Sequence, residues 1–135
     1  MNHSSDEKKN IAVLADIKRL VDAFYGRVRQ DELLAPIFND KIGDNWPEHL
    51  EKMYRFWQTI LLGEHSYYGN PFMPHSKLPI DEQHFTRWLE LFYQTLDEEF
   101  EGEKAEEARW RAGKMAEMFQ FKLQYYREKD STALK

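Results

Sequence analysis

Four side chains able to do chemistry organise this sequence: Tyr25, His49, His75 and Trp88. His75 sits in Phe72-Met73-Pro74-His75-Ser76-Lys77-Leu78-Pro79, a short stretch punctuated by prolines. Proline fixes its own φ and lacks an amide donor, so such a turn is stiff and aims the imidazole along a set direction, as an axial ligand of iron requires. Leu78 and Phe85 supply apolar contact beside it. Tyr25, His49 and Trp88 fall on other segments, each along an apolar stripe. Each can donate a hydrogen bond to a partly anionic oxygen. One imidazole facing three donors is what a haem pocket holding a small ligand needs. Plainer alternatives use the same residues: an exposed histidine in a Pro-rich loop, and three core or rim aromatics with locally satisfied tips.

The elements that must position these groups are helices. Asp16 is placed to cap a first helix, along which Ile17, Leu20, Val21, Phe24 and Val28 recur at helical spacing with Tyr25 at the stripe's edge. Leu33-Leu34-Ala35-Pro36-Ile37-Phe38 then reads as an apolar corner where Pro36 forbids a continuous helix. A second helix opens at Asn45-Trp46-Pro47, carries His49, Met53, Phe56, Trp57, Ile60 and Leu61 on one face, and stops at Gly63. Residues 64–80 are irregular, with one helical turn expected to start at Pro74. Asp81 caps a third helix bearing Phe85, Trp88, Leu89, Phe92, Leu96 and Phe100. The acidic run from Asp97 to Glu107 reads as a solvated loop around Gly102. A last helix carries Ala108, Ala112, Met115, Met118, Phe119 and Leu123. Residues 1–15 are read as a loose N-terminal segment and 129–135 as a frayed tail. The fold class is all-α, with 1–135 as a single domain.

Composition limits the functions available. Nine Phe, seven Tyr and four Trp in 135 residues are more aromatics than a simple bundle needs, and flat side chains pack well on a flat cofactor. Nineteen basic against 24 acidic residues leave a net charge of −5, which argues against nucleic-acid binding. No run approaches the roughly 18 apolar residues of a membrane span, and no leader pattern is read at the N-terminus. The absence of Cys excludes disulfides, thiolate-ligated metals, iron–sulfur clusters and haem attached through Cys-x-x-Cys-His. A cytoplasmic location is expected. With no spare apolar stripe evident on the helices, so is a monomer.

From Asp16 to about Tyr126 the chain resembles the truncated haemoglobins of the third group. The resemblance rests on Asp16-Ile-Lys-Arg-Leu-Val-Asp-Ala-Phe-Tyr25, Leu34-Ala-Pro-Ile-Phe38, Trp46-Pro-Glu-His49 through Phe56-Trp57, Pro74-His75-Ser-Lys-Leu-Pro79, and His84-Phe-Thr-Arg-Trp88-Leu-Glu-Leu-Phe92. The Gly-Gly motifs of the first two groups are absent, which fits the third. It implies a two-over-two helical sandwich, a truncated globin, around a non-covalent haem b (iron protoporphyrin IX). It further implies that His75 is the proximal iron ligand and that Tyr25, His49 and Trp88 face the bound ligand. From its position alone, one turn before Met53 at a helix edge, His49 could instead swing outward as a gate. Phe38, Met53, Phe56, Trp57, Leu78 and Phe85 would line the cofactor. For the haem propionates no motif decides among Lys52, Tyr67, Tyr68 and Arg87.

Three functions follow. The first is a haem protein that binds O2 and also NO, CO, cyanide or peroxide. The second is a haem enzyme, a nitric oxide dioxygenase or peroxidase-like oxidase, which would need an external reductase because no flavin- or nicotinamide-binding pattern is present. The third is a haem-free helical interaction module, in which Tyr25, His49, His75 and Trp88 have no reason to meet.

Overall fold

The computed structural model describes residues 8–72, 75, 76 and 78–133, and the helical turn expected at Pro74 starts outside them. Among the described residues five α-helices follow one another: α1 (Leu14–Val28), α2 (Ala35–Ile42), α3 (Trp46–Leu62), α4 (Glu82–Glu99) and α5 (Glu103–Ala133). α1 packs on both α3 and α4, and α4 packs on α5. Two helix pairs therefore lie against each other, the two-over-two sandwich expected from the sequence. No helix among the described residues is long and apolar enough to cross a membrane.

The core forms where the apolar stripes meet. Ile17, Leu20, Val21, Phe24 and Val28 of α1 are buried against Phe56, Trp57 and Leu61 of α3 and Leu91, Phe92 and Leu96 of α4. A second cluster joins Phe72, Ile80 and Phe85 to Ala116, Phe119 and Leu123 of α5. The helix ends follow local chemistry. Asp81 caps α4 by accepting from the Gln83 amide. Gly63 ends α3 with φ 68°, a left-handed geometry that costs glycine little.

Four expectations are corrected. The apolar corner at 33–38 holds a helix, α2, because Pro36 falls in its first turn, where a missing amide donor is harmless. Residues 8–13 are pinned, not loose. Ile11 is 1% exposed, the Glu101 amide donates to the Lys9 carbonyl at 3.0 Å, and α1 starts at Leu14, not Asp16. Asp16 lies within the first turn and reaches back to the Ala12 and Val13 amides at 2.9 and 3.1 Å. Burial acts to raise its pKa, but Lys9 and those amides outweigh it and hold the carboxyl below its usual range. The acidic run is helical except for residues 100–102. Its C-terminal part opens α5, where carboxylates suit the helix dipole, while Glu98 pairs with Arg27 and Glu99 with Arg19 at 2.8 Å each. Finally, α5 continues through Lys129 to Ala133, since no breaker interrupts it. Its outward face exposes Trp110, Met118, Phe121 and Tyr125 at helical spacing, an apolar stripe that the sequence reading missed.

Candidate functional site

A cavity of about 360 Å3 opens among the helices and the segment between α3 and α4. Cofactor and small-molecule sites commonly fall between ~300 and 1,000 Å3. All ten residues singled out from the sequence line it. Tyr25 comes from α1, Phe38 from α2, and His49, Met53, Phe56 and Trp57 from α3. His75 and Leu78 come from the connecting segment, Phe85 and Trp88 from α4. Spacings of three and four residues put the α3 and α4 groups on one face of each helix, and packing turns those faces inward.

One wall carries three polar tips held by aromatic packing. The Tyr25 and His49 rings meet edge-on, centroids 5.1 Å apart, and Trp46 meets His49 at 5.7 Å. Trp88 is stacked on Phe92 at 5.4 Å and meets Phe24 edge-on. The Nε2 atom of His49 is buried without a hydrogen-bond partner. The Tyr25 hydroxyl and Trp88 indole N–H also find no partner among the described residues. Buried polar groups are ordinarily satisfied, so the unpaired His49 Nε2, with the Tyr25 hydroxyl and Trp88 indole at the same cavity, points to a polar occupant. Burial drives the His49 pKa down to about 4, with the charges of His75 and Lys52 adding to the effect. Burial likewise pushes the Tyr25 hydroxyl well above its ordinary value. Both groups are neutral near pH 7.

His75 joins the same cavity from the segment between α3 and α4. Its Nδ1 lies 2.7 Å from the Pro71 carbonyl, which can only accept, so Nδ1 carries the proton and Nε2 keeps a free lone pair. The ring sits 5.0 Å from Phe119. Burial lowers its pKa, and Lys41 reinforces that against the Pro71 hydrogen bond, which favours the neutral, ligating form. Among the described residues no cluster of three or more His, Asp or Glu is placed to hold a bare metal ion. A metal taken by a single imidazole must bring its own equatorial ligands. An apolar cavity, one oriented imidazole and three unpaired tips thus fit an iron macrocycle.

Lys52 and Tyr67 line the cavity, as the sequence allowed for groups meeting propionates. Tyr68 and Arg87 do not. Tyr68 is 81% exposed and donates to the His65 carbonyl, while Arg87 is engaged by Asp31 at 2.6 Å. The sequence reading missed Ile37 and Lys41, whose spacing of four would have placed them on one face had α2 been recognised. It also missed His84 and, from α5, Met115 and Phe119. His84 is seen from the sequence only as a residue of the first turn of α4, where its Nδ1 accepts from the Asp81 amide at 3.0 Å.

The family model of bacterial-like globins matches residues 9–123. A group 3 truncated haemoglobin of Campylobacter jejuni is 39% identical over 114 residues, covering 82% of this chain and 90% of that protein. The crystal structure of a group III truncated haemoglobin from Campylobacter jejuni superposes with a TM-score of 0.79 at 37% identity, covering 87% of this chain and 95% of that one.

Proposed function

The chain belongs to the bacterial-like globins, among the group III truncated haemoglobins, and from that premise we propose that it binds haem b and reversibly takes O2 or another diatomic ligand there. The haem would supply an iron with a coordination position open to that ligand. His75 holds the iron through Nε2, its Nδ1 proton committed to Pro71. Phe38, Met53, Phe56, Trp57, Leu78 and Phe85 embrace the macrocycle by apolar contact. Tyr25, His49 and Trp88 act from the other side. The tyrosine hydroxyl and indole N–H donate hydrogen bonds to a small polarised ligand, and neutral His49 narrows the approach to it.

The observation that carries this reading is the meeting, around one cavity, of His75 with three polar tips that lack protein partners. It also disfavours a haem-free module, which gives those four residues no reason to converge. The test is the absorption spectrum of the purified protein as ferric, dithionite-reduced, and reduced plus CO. A Soret band that shifts with CO, and is lost or strongly altered in His75→Ala, is expected. No Soret band even after haem titration would overturn the proposal.

A further inference from the structure

His75 lies in the long connection between α3 and α4, where backbone pairing among the described residues is sparse. Near the imidazole, the His75 amide donates to Phe72, the Leu78 amide to His75 and the Ile80 amide to Leu78. Further support comes from the C-terminal half of α5. Tyr126 stacks on buried Phe72 with centroids 5.7 Å apart, and Phe119 lies under the His75 ring. One residue beyond Tyr126, Arg127 sends a single guanidinium nitrogen, Nη2, to two carbonyls, that of Leu78 at 3.2 Å and that of Ile80 at 2.6 Å. Hydrogen bonds from a charged donor are shorter and stronger than neutral ones. Ile80 is itself buried, so its carbonyl loses its partner if the guanidinium is removed.

We propose that Arg127 is a positioning residue for His75, closing the chain on the C-terminal side of the imidazole as the Pro71 carbonyl holds its Nδ1 on the other. The inference rests on the reading of His75 as the iron ligand. With both anchors in place the direction of Nε2 is fixed. Without Arg127 the 78–80 backbone is free to shift, and the imidazole tilts about its hydrogen bond to Pro71. Groups that orient a metal-bound histidine act on the metal through it. Arg127 lies outside the stretches that carry the family resemblance and does not line the cavity.

The experiment compares full-length, haem-loaded wild type, Arg127→Ala and Arg127→Lys. The ferrous iron–histidine stretching band is read by resonance Raman, and haem loss by transfer to excess acceptor apoglobin. Arg127→Ala is expected to shift or broaden that band and to speed haem loss roughly tenfold, the loss of one charged hydrogen-bonding group. Arg127→Lys, which keeps the charge, restores part of both. The C–O stretch of the CO form, which reports on the side of Tyr25 and Trp88, stays put. If Arg127→Ala does not fold, Arg127→Gln is read in the same way. An unchanged iron–histidine band and haem-loss rate, even with a lower melting temperature, overturns the positioning role alone. Equal shifts of the iron–histidine and C–O bands also overturn it, since they mean general loosening. A wild type that takes up no haem removes the iron reading and the clamp together, and is recognised before any variant is made.

Discussion

The rings of Tyr25 and His49 meet at 87° with centroids 5.1 Å apart, and the polar tip of neither has a protein partner. Two helices thus bring two hydrogen-bonding groups to one cavity wall and leave both unused. A stabilising role would have paired them with each other or with backbone. For Tyr25→Phe we expect ligand dissociation to speed up roughly tenfold, the loss of a hydrogen bond of about 1–2 kcal/mol. The cofactor-free protein should melt no lower, since the hydroxyl contributes no bond there. Stopped-flow ligand displacement and a thermal melt check the two halves. A lower melt with an unchanged off-rate would make Tyr25 a core residue.

His49 gives a pH dependence with a definite sign. Its folded pKa, about 4, lies below the ordinary 6.5, so between those values the unfolded chain binds the extra proton. Its contribution is full above pH 6.5, falls as the pH drops towards 4, and is lost below. Allowing for incomplete burial, the change is on the order of 2 kcal/mol. His75 is shifted in the same direction, so the two act together. In cofactor-free protein, urea unfolding from pH 7 to 4 should lose stability, and His49→Leu should flatten part of that slope. An equal slope in the variant would show that other groups carry it.

Legibility from the sequence tracked how local each feature is. α1, α3, α4 and α5 are visible because their apolar residues recur every three to four positions over four turns or more. The faces they define are those that line the cavity. α2 is hidden because a proline reads as a breaker unless its place in the first turn is known. The acidic run looks like solvated loop because its partners, Arg19 and Arg27, lie about 70 to 80 residues away in sequence. The N-terminal segment fails for the same reason. Its anchors are Phe100, Glu101 and the Lys104 amide, which donates to Asn10 at 2.9 Å. Periodicity showed that Tyr25, His49 and Trp88 each face inward. That they face the same space follows only from how the helices cross.

Asp31 is a second place where a long-range partner decides the geometry. Its carboxylate is buried, accepts from the Leu33 and Leu34 amides at 3.2 and 3.1 Å, and takes the Arg87 Nε–H at 2.6 Å. It thereby fixes the turn into α2, which delivers Ile37 and Phe38 to the cavity. Asp31→Ala should cost about 2–3 kcal/mol, because two amides and a guanidinium lose their acceptor. Arg87→Ala should cost less, since the carboxylate keeps both amides. Burial acts to raise the Asp31 pKa, but Arg87 and the amides outweigh it and hold it below 3.8. Its contribution is therefore full above that value and is lost as the pH falls through the lower folded value. Denaturation of wild type and Asp31→Asn should differ clearly at pH 7 and converge in acid.

Loading the cavity should stabilise the fold in two separable parts. The cofactor-free protein leaves an apolar cavity of about 360 Å3 with the His49 Nε2 buried and unpaired, a costly arrangement for a chain of 135 residues. A group that binds only the folded state adds roughly 2.7 kcal/mol at a hundredfold excess over its Kd, so haem should raise the melting temperature by about 10 °C. Apolar contact and the iron–His75 bond both contribute, and iron-free protoporphyrin IX keeps only the first. Haem should therefore stabilise the wild type more than protoporphyrin does, and the two should be equal in His75→Ala. Equal melts with and without haem would remove the cofactor reading. A gain from haem over protoporphyrin that survives in His75→Ala would keep the cofactor and move the iron to another ligand, for which His84 and His49, both lining the same cavity, are the histidines to replace next.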